Sequence, residues 1–226
     1  MKIDHELEKF KLVYGAANPA ILSLIPNSTR KILDIGCGSG ELGRELKSRM
    51  SCEVVGITYS QAEAEAASDH LDYVIVEDLN NLDPANIDVN FKDFDLIVCS
   101  HILEHLYYPQ ILLERLHKLC EPECKLIIAL PNALNFRQRI RFLRGDFKYT
   151  EGGLMDQTHF RFFDWDTSFD LLKNSGYNVV YRKADGYFPL PGLRRLIQPI
   201  ALQIDKLAVQ LMPGLFGTQF ILMAHP

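Results

Sequence analysis

A doubly wound α/β fold is predicted because strand-length apolar runs alternate with helical stretches and because a glycine-rich turn follows the first run. Five runs have the continuous apolar character of buried parallel strands. They are Lys31–Ile35, Cys52–Ile57, Tyr73–Val76, Phe94–Cys99 and Lys125–Leu130. The stretches Glu41–Met50, Gln61–His70 and Pro109–Cys120 between them are periodic and long enough to be crossover helices.

After Leu130 the alternation changes, because Pro131 and Asn132 end the fifth strand. Helices are predicted over 135–144 and 166–174, and strands over 177–181 and 218–223. The segment 193–212 carries apolar residues at helical spacing, and Pro199 is expected to kink or restart that helix. Without an internal repeat or a flexible linker, residues 1–226 are predicted to form a single domain.

Composition excludes several classes of protein. The formal net charge of -5 over 226 residues argues against a general nucleic-acid binder. The five cysteines form no CxxC pair, so neither a disulfide framework nor a zinc ribbon is indicated. Residues 1–14 lack the apolar core of a secretion signal, and no run of 18 apolar residues occurs, so we expect a cytoplasmic protein without a transmembrane segment.

The strongest chemical signal is the run Ile32-Leu-Asp-Ile-Gly-Cys-Gly-Ser-Gly40, a strand that ends in GxGxG before a helix. It lacks the third glycine of the dinucleotide fingerprint and the Gly-Lys-Ser/Thr of a P-loop. A carboxylate at Asp34 would repel a phosphate but suits a cationic ligand. The pattern therefore argues against a dehydrogenase.

Residues Leu33 to Gly40 resemble the first motif of the class I S-adenosylmethionine-dependent methyltransferases. The resemblance implies a Rossmann-like, mostly parallel seven-stranded sheet with an antiparallel last strand. It places the cofactor-binding half at about 30–132 and a helical acceptor-side cover at about 133–216. S-adenosylmethionine is the implied cofactor, and S-adenosylhomocysteine the product. The implied cofactor-binding residues are Asp34, Gly36, Cys37, Gly38, Gly40, Thr58, Tyr59, Asp78, Leu79 and Ser100.

The second strand departs from the family pattern. Thr58 stands where these enzymes usually carry an acidic residue that binds the ribose hydroxyls. A threonine hydroxyl binds a ribose less strongly than a carboxylate does, so we expect ribose recognition to be weaker or shared with a neighbour. Tyr59 is interpreted either as packing against the adenine or as an exposed strand-end residue. The resemblance implies that Asp78 and the backbone of Leu79 contact the adenine.

Residues Cys99 to Leu106 resemble the family's motif after the fourth strand, which has a Leu-Glu-His core. The resemblance implies that Ser100 and His101 lie next to the methionine end of the cofactor. His101, Glu104 and His105 have a spacing that could mimic a metal or acid/base cluster. The favoured interpretation is a turn that positions backbone, and no metal is predicted because the family does not need one.

The segments 131–136 and 152–163 resemble a subgroup that modifies saccharides and related small molecules. Histidine suits general-base chemistry at neutral pH, so His159 is the candidate base, oriented by Asp156, with His101 as the competing base. The alternative is that His159 and Asp156 only tie their loop to the core. Asn132 and Arg161 are candidate substrate-binding residues.

Two further patterns bear on partners. Arg137, Arg141 and Arg144 share one face of the predicted basic helix. This face is interpreted either as a site where Arg137 binds an anionic acceptor or as a solvated polar surface. The apolar segment 193–212 has three interpretations: core cover, which is favoured, a homodimer contact, and membrane-surface contact.

The predicted function is O-methylation of a small-molecule hydroxyl, on a saccharide or a secondary metabolite. N-methylation of an amino sugar or amine is an alternative that uses the same cofactor residues. The second alternative is a non-catalytic subunit that binds S-adenosylmethionine, and the departure from the family pattern at Thr58 supports this alternative.

Overall fold

A computed structural model describes residues 16–84, 87–192, 194 and 196–226, so the N-terminal segment considered for a secretion signal lies outside the described residues. Seven strands form one mixed sheet of order β3-β2-β1-β4-β5-β7-β6. The strands are β1 (Lys31–Ile35), β2 (Glu53–Thr58), β3 (Tyr73–Val76), β4 (Leu96–Ser100), β5 (Lys125–Pro131), β6 (Asn178–Gly186) and β7 (Gly217–His225).

Eight α-helices accompany the sheet in the described part of the chain. They are α1 (Pro19–Leu22), α2 (Glu41–Arg49), α3 (Gln61–Ala67), α4 (Pro109–Leu119), α5 (Phe136–Leu143), α6 (Trp165–Asn174), α7 (Gln198–Leu211) and α8 (Pro213–Phe216). Side chains fix several of their first turns: Ser60 caps α3, Asn135 caps α5, and Asp164 forms a reciprocal capping box with Thr167 at α6.

Strand directions confirm the predicted fold class. Strands β1 to β5 pair in parallel, and β7 lies antiparallel between β5 and β6. The strand order reverses at β1, which has β2 on one side and β4 on the other. Ile35 pairs with both Ile57 and Cys99, so the loops after β1, β2 and β4 leave the sheet at one edge. Ligands of open α/β sheets bind at such a switch point.

The core consists of two apolar layers, one on each face of the sheet. One layer packs Leu113, Leu116 and Leu172 of helices α4 and α6 against the strands. The other contains Ile21 and Leu46 of helices α1 and α2. Because both faces are covered, the central strands are apolar along nearly their whole length, which is why the sequence shows them as continuous apolar runs.

Helix α7 shows how the apolar segment 193–212 is used; residues 193 and 195 lie outside the described residues. Pro199 stands in the first turn, so it starts the helix rather than bending it. The buried stripe consists of Ala201, Asp205 and Val209. Large apolar side chains such as Leu207 are exposed on the opposite side. Only one face of this helix therefore covers the core, as the favoured interpretation predicts.

Among the described residues, no helix combines the length and the apolar composition needed to cross a membrane.

Candidate functional site

The glycine loop presents bare backbone at the switch point. The N–H groups of Gly36 and Cys37 donate to the Ile57 carbonyl, at 2.8 and 3.0 Å, and thereby fold the loop over β2. Gly36 has φ +80°, and a Cβ there would lie 2.6 Å from Ile102 Cγ1. A Cβ on Gly38 would meet no described atom within 4 Å, so this part of the loop faces open space. A ligand can therefore approach the backbone closely.

Asp34 supplies a buried carboxyl group directly before the loop. Its side chain is 3% exposed, and burial raises its pKa to about 7. A nearby cation would stabilise the ionised form, as expected for a sulfonium- or ammonium-bearing ligand. Burial also raises the pKa of the Cys37 thiol. Cys37 is therefore a neutral thiol whose contribution to the loop is its backbone.

A carboxylate from helix α3, that of Glu63, lies next to Thr58. Thr58 is buried, and its hydroxyl donates to Glu63 Oε2. Burial raises the pKa of Glu63, against the opposing effect of the Thr58 hydrogen bond. Glu63 is not among the residues predicted from the sequence, although the Ser-x-x-Glu spacing of Ser60 and Glu63 marks the first turn of a helix and is a signal for it. Tyr59 is 76% exposed, and its adenine contact stays a prediction.

The loop after β3 is held in a turn by Asp78. Its carboxylate accepts from Asn80 N at 3.0 Å and from Asn81 Nδ2 at 2.8 Å, and Leu79 beside it is buried. Asn80 Oδ1 then accepts from Tyr107 N at 2.7 Å. The loop predicted to bind the adenine is thus tied to the segment that follows β4. The adenine contacts of Asp78 and Leu79 themselves stay predictions.

Directly after Ser100, His101 adopts φ 53°, in the left-handed region. Its Nε2 lies 2.9 Å from Gln219 Oε1 and its Nδ1 lies 3.5 Å from Glu104 Oε1. Burial favours the neutral ring, but these two partners together raise the pKa of His101. Because both ring nitrogens have partners, the geometry disfavours His101 as the general base.

The predicted pair of His159 and Asp156 is not formed. The Asp156 carboxylate accepts from Thr158 N and Thr158 Oγ1, at 2.8 and 2.6 Å, and so stabilises its own turn. His159 Nδ1 instead lies 3.1 Å from the Leu154 carbonyl. Burial lowers the pKa of His159, which keeps the ring neutral. The orienting group is therefore a backbone carbonyl rather than Asp156, and a base role for His159 stays a prediction.

Glu104 joins two segments that are distant in the sequence. Its backbone carbonyl accepts from the N–H groups of Phe160 and Arg161, at 2.9 and 3.1 Å. This contact brings the His105 and His159 rings to a centroid separation of 4.6 Å, in an edge-to-face arrangement. The Glu104 side chain is 1% exposed and lies beside both rings. A cluster of one carboxylate and two imidazoles results.

The residues that follow these two histidines line an open cavity of about 510 Å³. Its walls are Tyr107, Tyr108, Phe160 and Arg161. The rings of Tyr107 and Phe160 are 4.3 Å apart, and Arg161 Nε donates to the Tyr107 carbonyl at 2.8 Å. Of these four residues, only Arg161 is predicted from the sequence, because a sequence does not distinguish an exposed aromatic ring from one in the core.

Two predicted substrate-binding residues have other contacts. Asn132 is fully buried; its Nδ2 donates to the carbonyls of Gly214 and Gly217, and its Oδ1 accepts from Leu134 N. It therefore joins the end of β5 to the start of β7, and each of its side-chain polar atoms is bonded to backbone. The exposed Arg137 guanidinium lies 5.1 Å from the centre of the Tyr187 ring. Its contact with an acceptor stays a prediction.

Comparisons with known proteins identify the family of this chain. Residues 10–182 match a family described as "Methyltransferase domain". A ubiquinone biosynthesis O-methyltransferase from Idiomarina loihiensis is 28% identical over 129 residues, which is 51% of this chain and 50% of the relative. The chain thus spans about half the length of the curated relatives that it matches.

Solved structures share the fold. A SAM-dependent methyltransferase from Archaeoglobus fulgidus has a TM-score of 0.60 at 20% identity, covering 88% of this chain and 87% of that one. One from Thermotoga maritima has a TM-score of 0.64 at 18% identity, covering 99% and 96%.

Proposed function

The chain belongs to the methyltransferase domain family, within the class I S-adenosylmethionine-dependent methyltransferases, and we propose that it methylates a hydroxyl of a small ring-bearing acceptor. The observation that carries the proposal is the open cavity walled by Tyr107, Tyr108 and Phe160, directly after the motif that follows β4. Aromatic walls suit the flat face of a phenolic secondary metabolite or a sugar ring. The O-methyltransferase name of the Idiomarina relative supports oxygen as the acceptor atom.

The residues present fit the cofactor. The open backbone at Gly38 admits a close ligand, the buried Asp34 carboxyl suits a positive charge, and Glu63 with Thr58 would bind ribose hydroxyls. When bound, S-adenosylmethionine supplies an electrophilic methyl group on sulfur.

The remaining task of the protein is to position the acceptor. An in-line displacement gains most of its rate from holding the acceptor oxygen in line with the methyl carbon. In the proposed complex, the acceptor ring packs against the contacting pair of Tyr107 and Phe160, whose ring centroids lie 4.3 Å apart, and this pair keeps water from that face. Arg161 is held by the Tyr107 carbonyl and lies 5.7 Å from the centre of the Tyr108 ring, so it fixes the shape of the wall.

The test is transfer of labelled methyl groups to matched acceptors, with a phenol, a catechol and a sugar set against the corresponding amines. We expect hydroxyl acceptors to be methylated, and Phe160→Ala to raise their KM about 3- to 10-fold, the range that an aromatic contact contributes. The affinity for S-adenosylhomocysteine should not change. Tyr73→Ala, which removes an exposed ring on β3, is the matched control and should alter neither quantity. Methylation of amines alone would contradict the proposal, as would an unchanged KM in Phe160→Ala.

A further inference from the structure

We propose that Glu104, His105 and His159 form a binding site for a divalent transition-metal ion such as Zn²⁺. One carboxylate oxygen of Glu104 and one ring nitrogen of each histidine lie within 4.8 Å of one another. Ligands bound to one ion at about 2.1 Å are at most about 4.2 Å apart, so a small movement of the side chains completes the site.

The Glu104 carboxylate is the first independent evidence for a cation. Its Oε1 faces His101 Nδ1 at 3.5 Å, whereas Oε2 is buried and has no hydrogen-bond partner among the described residues. A buried carboxylate oxygen without a partner is costly, because it has lost its hydration and gained nothing in exchange. A cation at the cluster would satisfy this oxygen.

Hydrogen bonds to Nδ1 of both imidazoles are the second line of evidence. His159 Nδ1 lies 3.1 Å from the Leu154 carbonyl. His105 Nδ1 lies 3.2 Å from the Thr158 carbonyl and 3.0 Å from Thr158 Oγ1, which itself donates to Asp156 Oδ1. A carbonyl only accepts, so each Nδ1 carries the proton and each Nε2 keeps a free lone pair. Histidines that bind metals are usually oriented in this way by a carbonyl or carboxylate.

The donor set indicates the class of metal and its use. Two imidazoles and a carboxylate suit Zn²⁺ or Co²⁺, and three protein ligands leave a coordination position open. If the proposed function holds, the acceptor hydroxyl oxygen would take that position. It would release its proton to water and form the C–O bond as the methyl carbon–sulfur bond breaks, with the electron pair going to sulfur. The metal site itself does not depend on the identity of the acceptor.

The experiment measures metal binding without cofactor or acceptor. Chain freed of metal with a chelator is titrated with Zn²⁺ and Co²⁺, and bound metal is counted by elemental analysis. We expect one ion per chain and, with Co²⁺, the visible absorption of a low-symmetry site. Glu104→Gln and His159→Ala should each weaken binding by more than the roughly 10- to 100-fold that loss of an outer hydrogen-bond partner costs. His70→Ala, which alters a histidine outside the cluster, should bind like the parent chain.

The proposal is overturned if neither ion binds, or if both cluster variants retain the parent affinity. Circular dichroism of each variant without metal shows whether it is folded. If a variant is unfolded, X-ray absorption of the Co²⁺-loaded parent tests the site instead. A spectrum with two imidazole ligands supports the proposal, and a spectrum without imidazole ligands refutes it. A chain that binds metal but methylates only amines would refute the proposed function and leave the metal site standing. The reverse result would refute the metal site alone.

Discussion

The sheet edge at the switch point and the surface that carries the aromatic cavity are built differently. Asp34 and Thr58, two of the predicted cofactor residues, lie in strands β1 and β2, which are buried along nearly their whole length, and both residues are themselves buried. The cavity wall and the segments after Leu130 expose large apolar groups, among them Tyr108, Phe160, Leu143 and the outer face of α7. The first region therefore depends on close packing, whereas substitutions of exposed side chains in the second should have little effect on stability. Substitutions in the two regions should differ in both kind and size of effect.

The largest effect is expected for Gly36→Ala. The new Cβ would lie 2.6 Å from Ile102 Cγ1, and φ +80° is unfavourable for alanine. Left-handed backbone and overpacking together predict a loss of about 2–5 kcal/mol in the free energy of unfolding, with loss of cofactor binding. Urea unfolding and calorimetry with S-adenosylhomocysteine measure the two quantities.

Gly38→Ala is the matched control, because a Cβ there meets no described atom within 4 Å. Gly38→Ala should lower the free energy of unfolding by only about 1–2 kcal/mol, the strain of placing alanine in left-handed backbone. Equal losses in the two variants would show that the contact with Ile102 does not matter.

Asp34→Asn should separate stability from binding. Burial raises the pKa of Asp34 from its ordinary value of 3.8 to about 7, so its stabilising contribution is present at low pH and is lost as the pH rises through 7. At about pH 8 the variant should be more stable than the parent, with a free energy of unfolding about 2–4 kcal/mol higher. At about pH 4 this difference should vanish.

Binding of S-adenosylmethionine should respond in the opposite sense. The parent affinity should fall below about pH 7, as Asp34 gains its proton, and the Asn variant should bind weakly at every pH. Thermal or urea unfolding and calorimetry across the pH range test both statements. A parent chain whose stability does not change between about pH 5 and pH 8 would argue against this titration.

Glu63→Gln should weaken cofactor binding about 10-fold, since a hydrogen bond to a charged group is replaced by one to a neutral group. Glu65→Gln, on the exposed side of the same helix, should bind like the parent chain. Calorimetric titration with S-adenosylhomocysteine compares the three proteins. If the two variants bind equally well, Glu63 does not replace the missing strand-end carboxylate.

The smallest effect is expected on the outer face of α7. Leu207 is 58% exposed, so Leu207→Ser should change the free energy of unfolding by no more than about 0.5 kcal/mol. Val209 is 9% exposed, and Val209→Ser should cost about 1–3 kcal/mol. Urea unfolding distinguishes them. Similar losses in both variants would mean that the exposed face is covered in solution.

Much of the sheet and the glycine loop could be predicted from the sequence, because local patterns determine them. Continuous apolar runs indicate strands buried on both faces, and glycines 36, 38 and 40 mark backbone with positive φ. Strand β6 was predicted over 177–181 but continues to Gly186, since its last residues are stabilised by pairing with β7 rather than by a local apolar pattern.

The polar contacts of the site were decided by the tertiary structure. His159 lies 54 residues beyond His105 in the sequence, and the two rings come together through long-range contacts: Phe160 and Arg161 donate to the Glu104 carbonyl, and His105 contacts Thr158. Likewise, the sequence allows Asp156 to orient His159. In the folded chain the Asp156 carboxylate accepts from Thr158 N and Thr158 Oγ1 instead. Sequence patterns report which residues are buried and which turns need glycine. A hydrogen bond depends on distance and direction between side chains, and those are set only when the chain has folded.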